Sequence, residues 1–157
     1  MSKSIVLIVP ADVTLSHIGT SVSEQSIVER IYTITEGPSP RFQVQGSSNG
    51  LDWYVDIMEL PNRQDALREY LEWDLPTSVK QQLEKETFYS ISYNSLTSAS
   101  FIIRDLLSTL IVSHPDIWLD NDYGELIPGQ TVLNEFKRNP QWDWHTYRKD
   151  ERKGALR

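Results

Sequence analysis

Hydrophobic and polar residues alternate most clearly over residues 42–58, on both sides of the pair Asn49-Gly50. Apolar residues at every second position are typical of a strand with one buried face. Asn-Gly tolerates the positive φ angles that a primed hairpin turn requires. The pattern therefore predicts a β-hairpin around Asn49-Gly50. Its second strand is expected to bury four apolar side chains: Leu51, Trp53, Val55 and Ile57.

Shorter apolar runs predict further strands. The unbroken run from Ile5 to Val9 stops at Pro10 and is typical of a strand buried on both faces. Residues 88–93 alternate as a strand does, and two short strands are predicted at the segments 117–120 and 125–127.

Two segments give weaker patterns. Residues 27–35 fit a helix and a strand almost equally, because Thr33 and Thr35 flank Ile34. Residues 12–26 are rich in Ser and Thr and are predicted to be mostly loop.

Helical spacing is strongest over residues 97–113, where apolar side chains recur at intervals of three and four. Shorter helices are predicted to begin after Asn62, at Thr77 and after Pro128-Gly129. The most central helical side chains are expected to be Ile103, Leu106, Leu107 and Leu110.

The order of these elements predicts the fold class. Strands cluster in sequence and do not alternate strictly with helices, which favours an α+β fold with a mostly antiparallel sheet and helices packed on one face. The length of 157 residues suits one domain. We expect that domain to span residues 1–140 and to be followed by a basic C-terminal tail, residues 141–157.

Charge is distributed unevenly along the chain. The chain has 22 acidic and 15 basic side chains and a net charge of −7. Residues 1–136 carry a net −11, whereas residues 137–157 carry +4. A net anion of this size does not attract nucleic acid through long-range charge, so no nucleic-acid partner is expected. The basic tail is expected to be a solubilising end or a segment that contacts an anionic surface.

Composition excludes other classes. The chain contains no cysteine, which removes disulfides, thiolate catalysis and cysteine-ligated metal sites. No stretch approaches the roughly 18 apolar residues that span a bilayer. Pro10 and Asp12 interrupt the first apolar run before it reaches the length of a signal-peptide core. We therefore expect a soluble, cytoplasmic protein with no membrane partner.

Catalytic signatures are weak. The chain lacks the common phosphate-binding, zinc-protease and serine-hydrolase motifs. Ser113, His114 and Asp116 are close in sequence, which does not give triad geometry, and Ser113 and His114 lie at the C-terminus of a predicted helix. The stretch 120–125 has some features of a calcium loop, but Gly124 in the required position would put Leu119 at the first ligand. No enzyme activity, cofactor or metal is expected.

Carboxylates interleaved with aromatic residues are the remaining signal. Segment 51–86 holds nine acidic and four basic residues, and segment 116–125 holds four acidic residues and no basic one. Such surfaces suit a basic protein partner, since carboxylates steer association and aromatic side chains anchor it. The alternative is that the aromatic residues are core and the carboxylates only solvate it. The candidate partner-binding residues are Asp120, Asp122, Tyr123, Glu125, Asp52 and Asp56.

The stretch Asp116 to Gly124, directly after a strongly amphipathic helix, resembles a pattern in small acidic immunity proteins of bacterial polymorphic-toxin systems. Size, acidity and the lack of a catalytic motif fit the same likeness, which covers roughly residues 88–136. The resemblance implies a non-enzymatic protein that binds a cognate toxin or effector domain and blocks it.

Two other hypotheses stay open. One is a small enzyme or ligand-binding domain whose site is assembled from dispersed Asp, Glu, Tyr and His residues. The other is an adaptor or an oligomer subunit.

Overall fold

The computed structural model describes residues 3–34 and 40–148. In this part of the chain the strands are β1 Lys3–Pro10, β2 Arg30–Ile34, β3 Arg41–Ser48, β4 Leu51–Glu59, β5 Glu86–Tyr93, β6 Trp118–Asp120 and β7 Leu126–Pro128. The helices are α1 Leu15–Ser23, α2 Arg63–Glu72, α3 Thr77–Leu83, α4 Leu96–Leu110 and α5 Gly129–Arg138, with a 3-10 turn at Trp144–Thr146.

All seven strands form one antiparallel sheet in the order β2-β3-β4-β5-β1-β6-β7. β1 lies between two strands that come much later in the chain, with Leu7 opposite both Tyr89 and Leu119. The predicted α+β class with an antiparallel sheet is confirmed.

The predicted hairpin is also confirmed. Asn49 and Gly50 join β3 to β4 with φ angles of 54° and 77°. Trp53 is buried as expected, but Leu51 is 73% exposed and its predicted burial was wrong. Leu51 pairs with the exposed Ser48 directly beside the turn, where β3 ends and β4 begins.

The larger hydrophobic core lies on one face of the sheet, under α1, α4 and α5. Ile103, Leu106 and Leu107 are fully buried there, as predicted, whereas Leu110 is only partly buried. α1 approaches β3 so closely that a Cβ at Gly19 would overlap the Phe42 ring.

Two predictions on the first third of the chain are resolved. Residues 12–26 are not mostly loop, because they contain α1. Thr14 caps this helix in a reciprocal arrangement with His17, and Ile18 and Val22 form its buried side. The ambiguous segment 27–35 contains β2, a strand at one edge of the sheet.

A second, smaller core covers part of the other face. α2 and α3 pack over β1 and β5 there, and their Tyr70 and Leu83 meet Ile8 and Phe88. Arg63 at the start of α2 donates hydrogen bonds to the backbone carbonyls at the end of α3 and the start of β5. The predicted packing of helices on one face is therefore seen for α4 and α5, which α1 joins, and α2 and α3 cover part of the second face.

Folded structure continues past residue 140. Trp144 is fully buried in the larger core and His145 is 7% exposed. The start of the predicted tail at residue 141 was therefore wrong, because an aromatic anchor lies beyond it. Residues 149–157 of that tail lie outside the described residues. No helix in the described segments is long and apolar enough to cross a bilayer.

Candidate functional site

The β6–β7 hairpin carries four of the six residues proposed for partner binding. Its turn is held by the Asn121 side-chain oxygen, which accepts hydrogen bonds from the backbone N–H groups of Tyr123 and Glu125. Asp122 and Gly124 have φ angles of 65° and 84°, which Asp and Gly tolerate better than most residues. Gly124 therefore lies in the left-handed region, within the turn of the hairpin.

Asp120 does not project from this hairpin. Its Oδ2 accepts a hydrogen bond of 2.6 Å from the Tyr70 hydroxyl of α2, and its Oδ1 accepts one of 2.9 Å from the Asp122 backbone N–H. Burial raises the pKa of Asp120, although both hydrogen bonds act in the opposite direction. The pKa of Tyr70 is also raised, first by burial and then by the adjacent Asp120 carboxylate. Asp120 therefore links the hairpin to α2 through a hydrogen bond.

A buried network of hydrogen bonds holds the other side of the hairpin. The Asn121 backbone carbonyl accepts a hydrogen bond from His145 Nδ1 at 2.7 Å, which places the ring proton on that nitrogen. His145 Nε2 then accepts from the Tyr93 hydroxyl, which in turn accepts from the Trp144 indole N–H. The Asn121 amide also donates to the Trp144 carbonyl. Hydrogen bonds thus hold the hairpin on two sides, to Tyr70 of α2 and to the segment around Trp144 and His145.

Tyr123 is at the tip and is 54% exposed. Its ring meets the edge of His145, and the Arg148 guanidinium lies 5.8 Å from its centre. The hairpin has no basic neighbour in sequence, but the fold brings Arg148 beside it. A partner can therefore contact Tyr123, although His145 and Arg148 already cover part of its ring.

Asp52 and Asp56 lie elsewhere, on β4, three strands away from β6. Asp52 is exposed near the β3–β4 turn. Asp56 forms an ion pair of 3.7 Å with Arg41, and burial raises its pKa while Arg41 opposes that effect. β5 and β1 therefore separate these two carboxylates from the hairpin.

A cleft of about 680 Å³ opens beside the hairpin at the β7 edge of the sheet. Its lining includes the α2–α3 connection, the β6–β7 hairpin and the C-terminal segment. Six of the residues that define this acidic–aromatic cleft are Trp73, Asp74, Leu75, Trp118, Glu125 and Tyr147. None of the described residues that line it is basic.

Two further carboxylates lie near this cleft. Glu69 of α2 and Asp122 of the hairpin both act electrostatically on Tyr70 and Asp120, so the four groups are close together. Glu69 and Asp122 are exposed. We call these two residues the acidic rim.

The two acidic, aromatic segments are evident in the sequence, but the sequence does not show which of their residues meet in the fold. Asp74, Glu69 and Tyr147 were not proposed as site residues, and no local spacing distinguishes them. Trp73 and Trp118 were recognised only as part of an aromatic-rich pattern. The Trp118 indole N–H is buried and has no hydrogen-bond partner among the described residues.

Within the described residues, no group of three or more His, Asp or Glu side chains is arranged to hold a metal ion. Comparison of the chain with models of known protein families, with curated proteins and with solved structures gave no significant match. The function is therefore inferred from the geometry of the cleft and its rim.

Proposed function

We propose that this chain is a non-enzymatic binding protein that acts as an immunity protein. It would inhibit a cognate bacterial toxin or effector domain in the cytoplasm by covering the basic active site of that domain. The acidic–aromatic cleft and the acidic rim would form the contact surface, and the hairpin tip would project into the partner.

One observation supports this proposal most strongly. Side chains from segments about fifty residues apart meet at a single cleft, where carboxylates stand beside Trp73 and Trp118 without a basic residue in the described lining. Asp74 and Glu125 supply charge inside the cleft, and the acidic rim adds charge outside it.

This arrangement suits association with a cationic surface. Exposed carboxylates raise the rate of encounter with a basic partner, and aromatic side chains give the desolvated contacts that slow dissociation. The hydrogen bonds that hold the hairpin limit the conformational freedom lost on binding, which favours affinity. Asp120 contributes by positioning the hairpin, not by direct contact.

The proposal is tested by capturing partners from the producing cells with the full chain and measuring their binding by surface plasmon resonance. The rim variant combines Glu69→Lys with Asp122→Asn. Asn is chosen at position 122 because it tolerates the left-handed backbone conformation that Asp122 adopts. We expect at least tenfold weaker binding for this variant, mainly because its association with the partner is slower. The association rate of the wild type should fall as salt rises, because salt screens the attraction between the charges.

The matched control combines Asp105→Lys with Glu24→Gln. Both residues are exposed: Asp105 lies on α4 and Glu24 directly follows α1, and these two helices pack on the opposite face of the sheet. This control changes the net charge equally and is expected to leave binding within twofold. Equal binding by the rim variant and the wild type would overturn the proposal, as would a captured partner whose activity continues in the complex. Turnover of a small molecule by the purified chain would favour the enzyme hypothesis.

A further inference from the structure

We propose that the acidic–aromatic cleft is a pocket for an arginine side chain of the partner protein. The inference deepens the proposed function and rests on it for the source of the arginine. Its chemical basis is the combination of three aromatic residues and two carboxylates in one lining: Trp73, Trp118, Tyr147, Asp74 and Glu125.

The charge of the lining selects a cation. Asp74 and Glu125 come from different elements, the α2–α3 connection and the end of the β6–β7 turn, so the fold places two carboxylates around the same space. None of the described lining residues offers a positive charge to pair with them. A cationic group entering the cleft would supply that missing charge.

The aromatic residues select arginine among the cations. A guanidinium is planar and more weakly hydrated than an ammonium, so it stacks on Trp and Tyr rings and presents several N–H donors to carboxylates at the same time. Lysine offers a compact, strongly hydrated charge that loses more on entering such a space. The volume of about 680 Å³ falls within the usual range of ligand pockets, roughly 300–1,000 Å³. It admits the side chain together with part of its backbone.

The test uses the full chain with ¹⁵N-labelled tryptophan, observed through the indole N–H signals in NMR spectra. Each signal is assigned by a Trp→Phe variant. The probes are N-acetyl-arginine amide, the corresponding lysine amide, and the citrulline amide, which has nearly the same shape as the arginine amide but no charge.

We expect the arginine amide to shift the Trp73 and Trp118 signals in a saturable way, with a dissociation constant on the order of 1–10 mM for so small a ligand. The signal of Trp53, which is buried under the other face, should stay in place. The lysine amide should bind at least fivefold more weakly, and the citrulline amide should give no saturable shift.

Paired variants localise the binding. Glu125→Gln is expected to weaken binding of the arginine amide at least fivefold, whereas Glu24→Gln, at an exposed position outside the cleft lining and the acidic rim, should leave it within twofold. Equal binding of the citrulline amide would overturn the inference, as would no saturable shift with the arginine amide. Movement of the Trp73 and Trp118 signals in an Arg152→Gln, Lys153→Gln variant without probe would identify the chain's own tail as the occupant and also overturn it.

The two proposals fail in different ways. If the arginine amide binds but the rim variant keeps its captured partner, the pocket stands and the proposed function does not. If the rim variant loses its partner while the arginine amide leaves the indole signals unmoved, the proposed function stands and the pocket does not.

Discussion

At the scale of single residues, one hydrogen bond changes the role of a carboxylate. Asp120 has the sequence context of a surface residue in an acidic turn, yet its Oδ2 lies 2.6 Å from the hydroxyl of Tyr70, fifty positions earlier. No residue near Asp120 in sequence indicates that Tyr70 is its partner, because the two side chains meet only when α2 packs against β6. The exposed carboxylate expected from sequence is instead a link between two elements.

The Tyr70–Asp120 link predicts a measurable coupling. Tyr70→Phe and Asp120→Ala should each lower the free energy of unfolding by about 1–3 kcal/mol, because each leaves a partly desolvated polar group without its partner. The double variant should lose less than the sum of the two. Urea denaturation of the four proteins measures this. Tyr123→Phe at the half-exposed tip is the control and should change stability by less than about 0.5 kcal/mol. Strict additivity would show that the bond contributes nothing.

A second buried carboxylate predicts a pH dependence. Glu86 is 8% exposed, and its Oε2 has no hydrogen-bond partner among the described residues. Burial, together with the charge of Asp116, raises the pKa of Glu86 above its ordinary value of 4.5, although Gln82 opposes this. A raised pKa in the folded state favours the protonated form. The wild type therefore loses stability as pH rises from the unfolded-state pKa through the folded-state pKa.

Glu86→Gln should consequently raise the free energy of unfolding at pH 7, by on the order of 1 kcal/mol. The gain should shrink as pH falls through that window and vanish below the unfolded-state pKa, where both side chains are neutral. Denaturation series from pH 3 to pH 8 measure it, with Glu84→Gln at the neighbouring exposed position as the control. A gain of the same size at all pH values would contradict the titration of Glu86 as its cause.

At the scale of elements, patterns that depend on near neighbours were predicted well. Seven strands and α2 to α5 follow from spacing, from turn residues and from Pro and Gly positions, apart from the open choice at β2. α1 was missed because Ser and Thr dominate its composition, although Ile18 and Val22 have helical spacing. What fixes α1 is a local cap at Thr14 together with contact against β3, and the second of these is not visible in sequence.

α4 provides a test of its central position. Leu107 is fully buried in the core, whereas Leu110, one turn later, is only partly buried. Leu107→Ala should cost about 2–5 kcal/mol, since it leaves a cavity in a packed region. Leu110→Ala removes the same atoms and should cost clearly less. Thermal and urea unfolding compare the two, and equal losses would place the centre of the core elsewhere.

At the scale of the whole molecule, the site could not be assembled from sequence. The acidic and aromatic composition of the two segments was visible, but Asp52 and Asp56 lie on β4, while Asp74 and Glu125 share a cleft. Strand order decides this separation, because β5 and β1 stand between β4 and β6. Sequence spacing places residues on the faces of an element, and it does not place two distant elements beside each other.

The C-terminal segment supplies the last test. Trp144 is fully buried against Tyr93 and Phe136, with ring centres 5.7 and 5.9 Å away. Trp144→Ala should cost about 3–5 kcal/mol, a large part of the stability of an ordinary domain. Gln141→Ala, at an exposed position of the same segment, should cost less than about 0.5 kcal/mol. Chemical denaturation compares them, and a negligible loss for Trp144→Ala would restore the boundary at residue 140.

The place of β1 in the sheet also has a consequence for how the chain is made. Pro10 pairs with Glu86 and Lys3 with Tyr93, so β1 has no partner strand until β5 is synthesised. At about 5–20 residues per second, that delay is roughly 4–16 seconds. During it, the unbroken apolar run from Ile5 to Val9 is an unpaired strand with high aggregation tendency. Synthesis rate and chaperone supply are therefore expected to affect the yield of this protein.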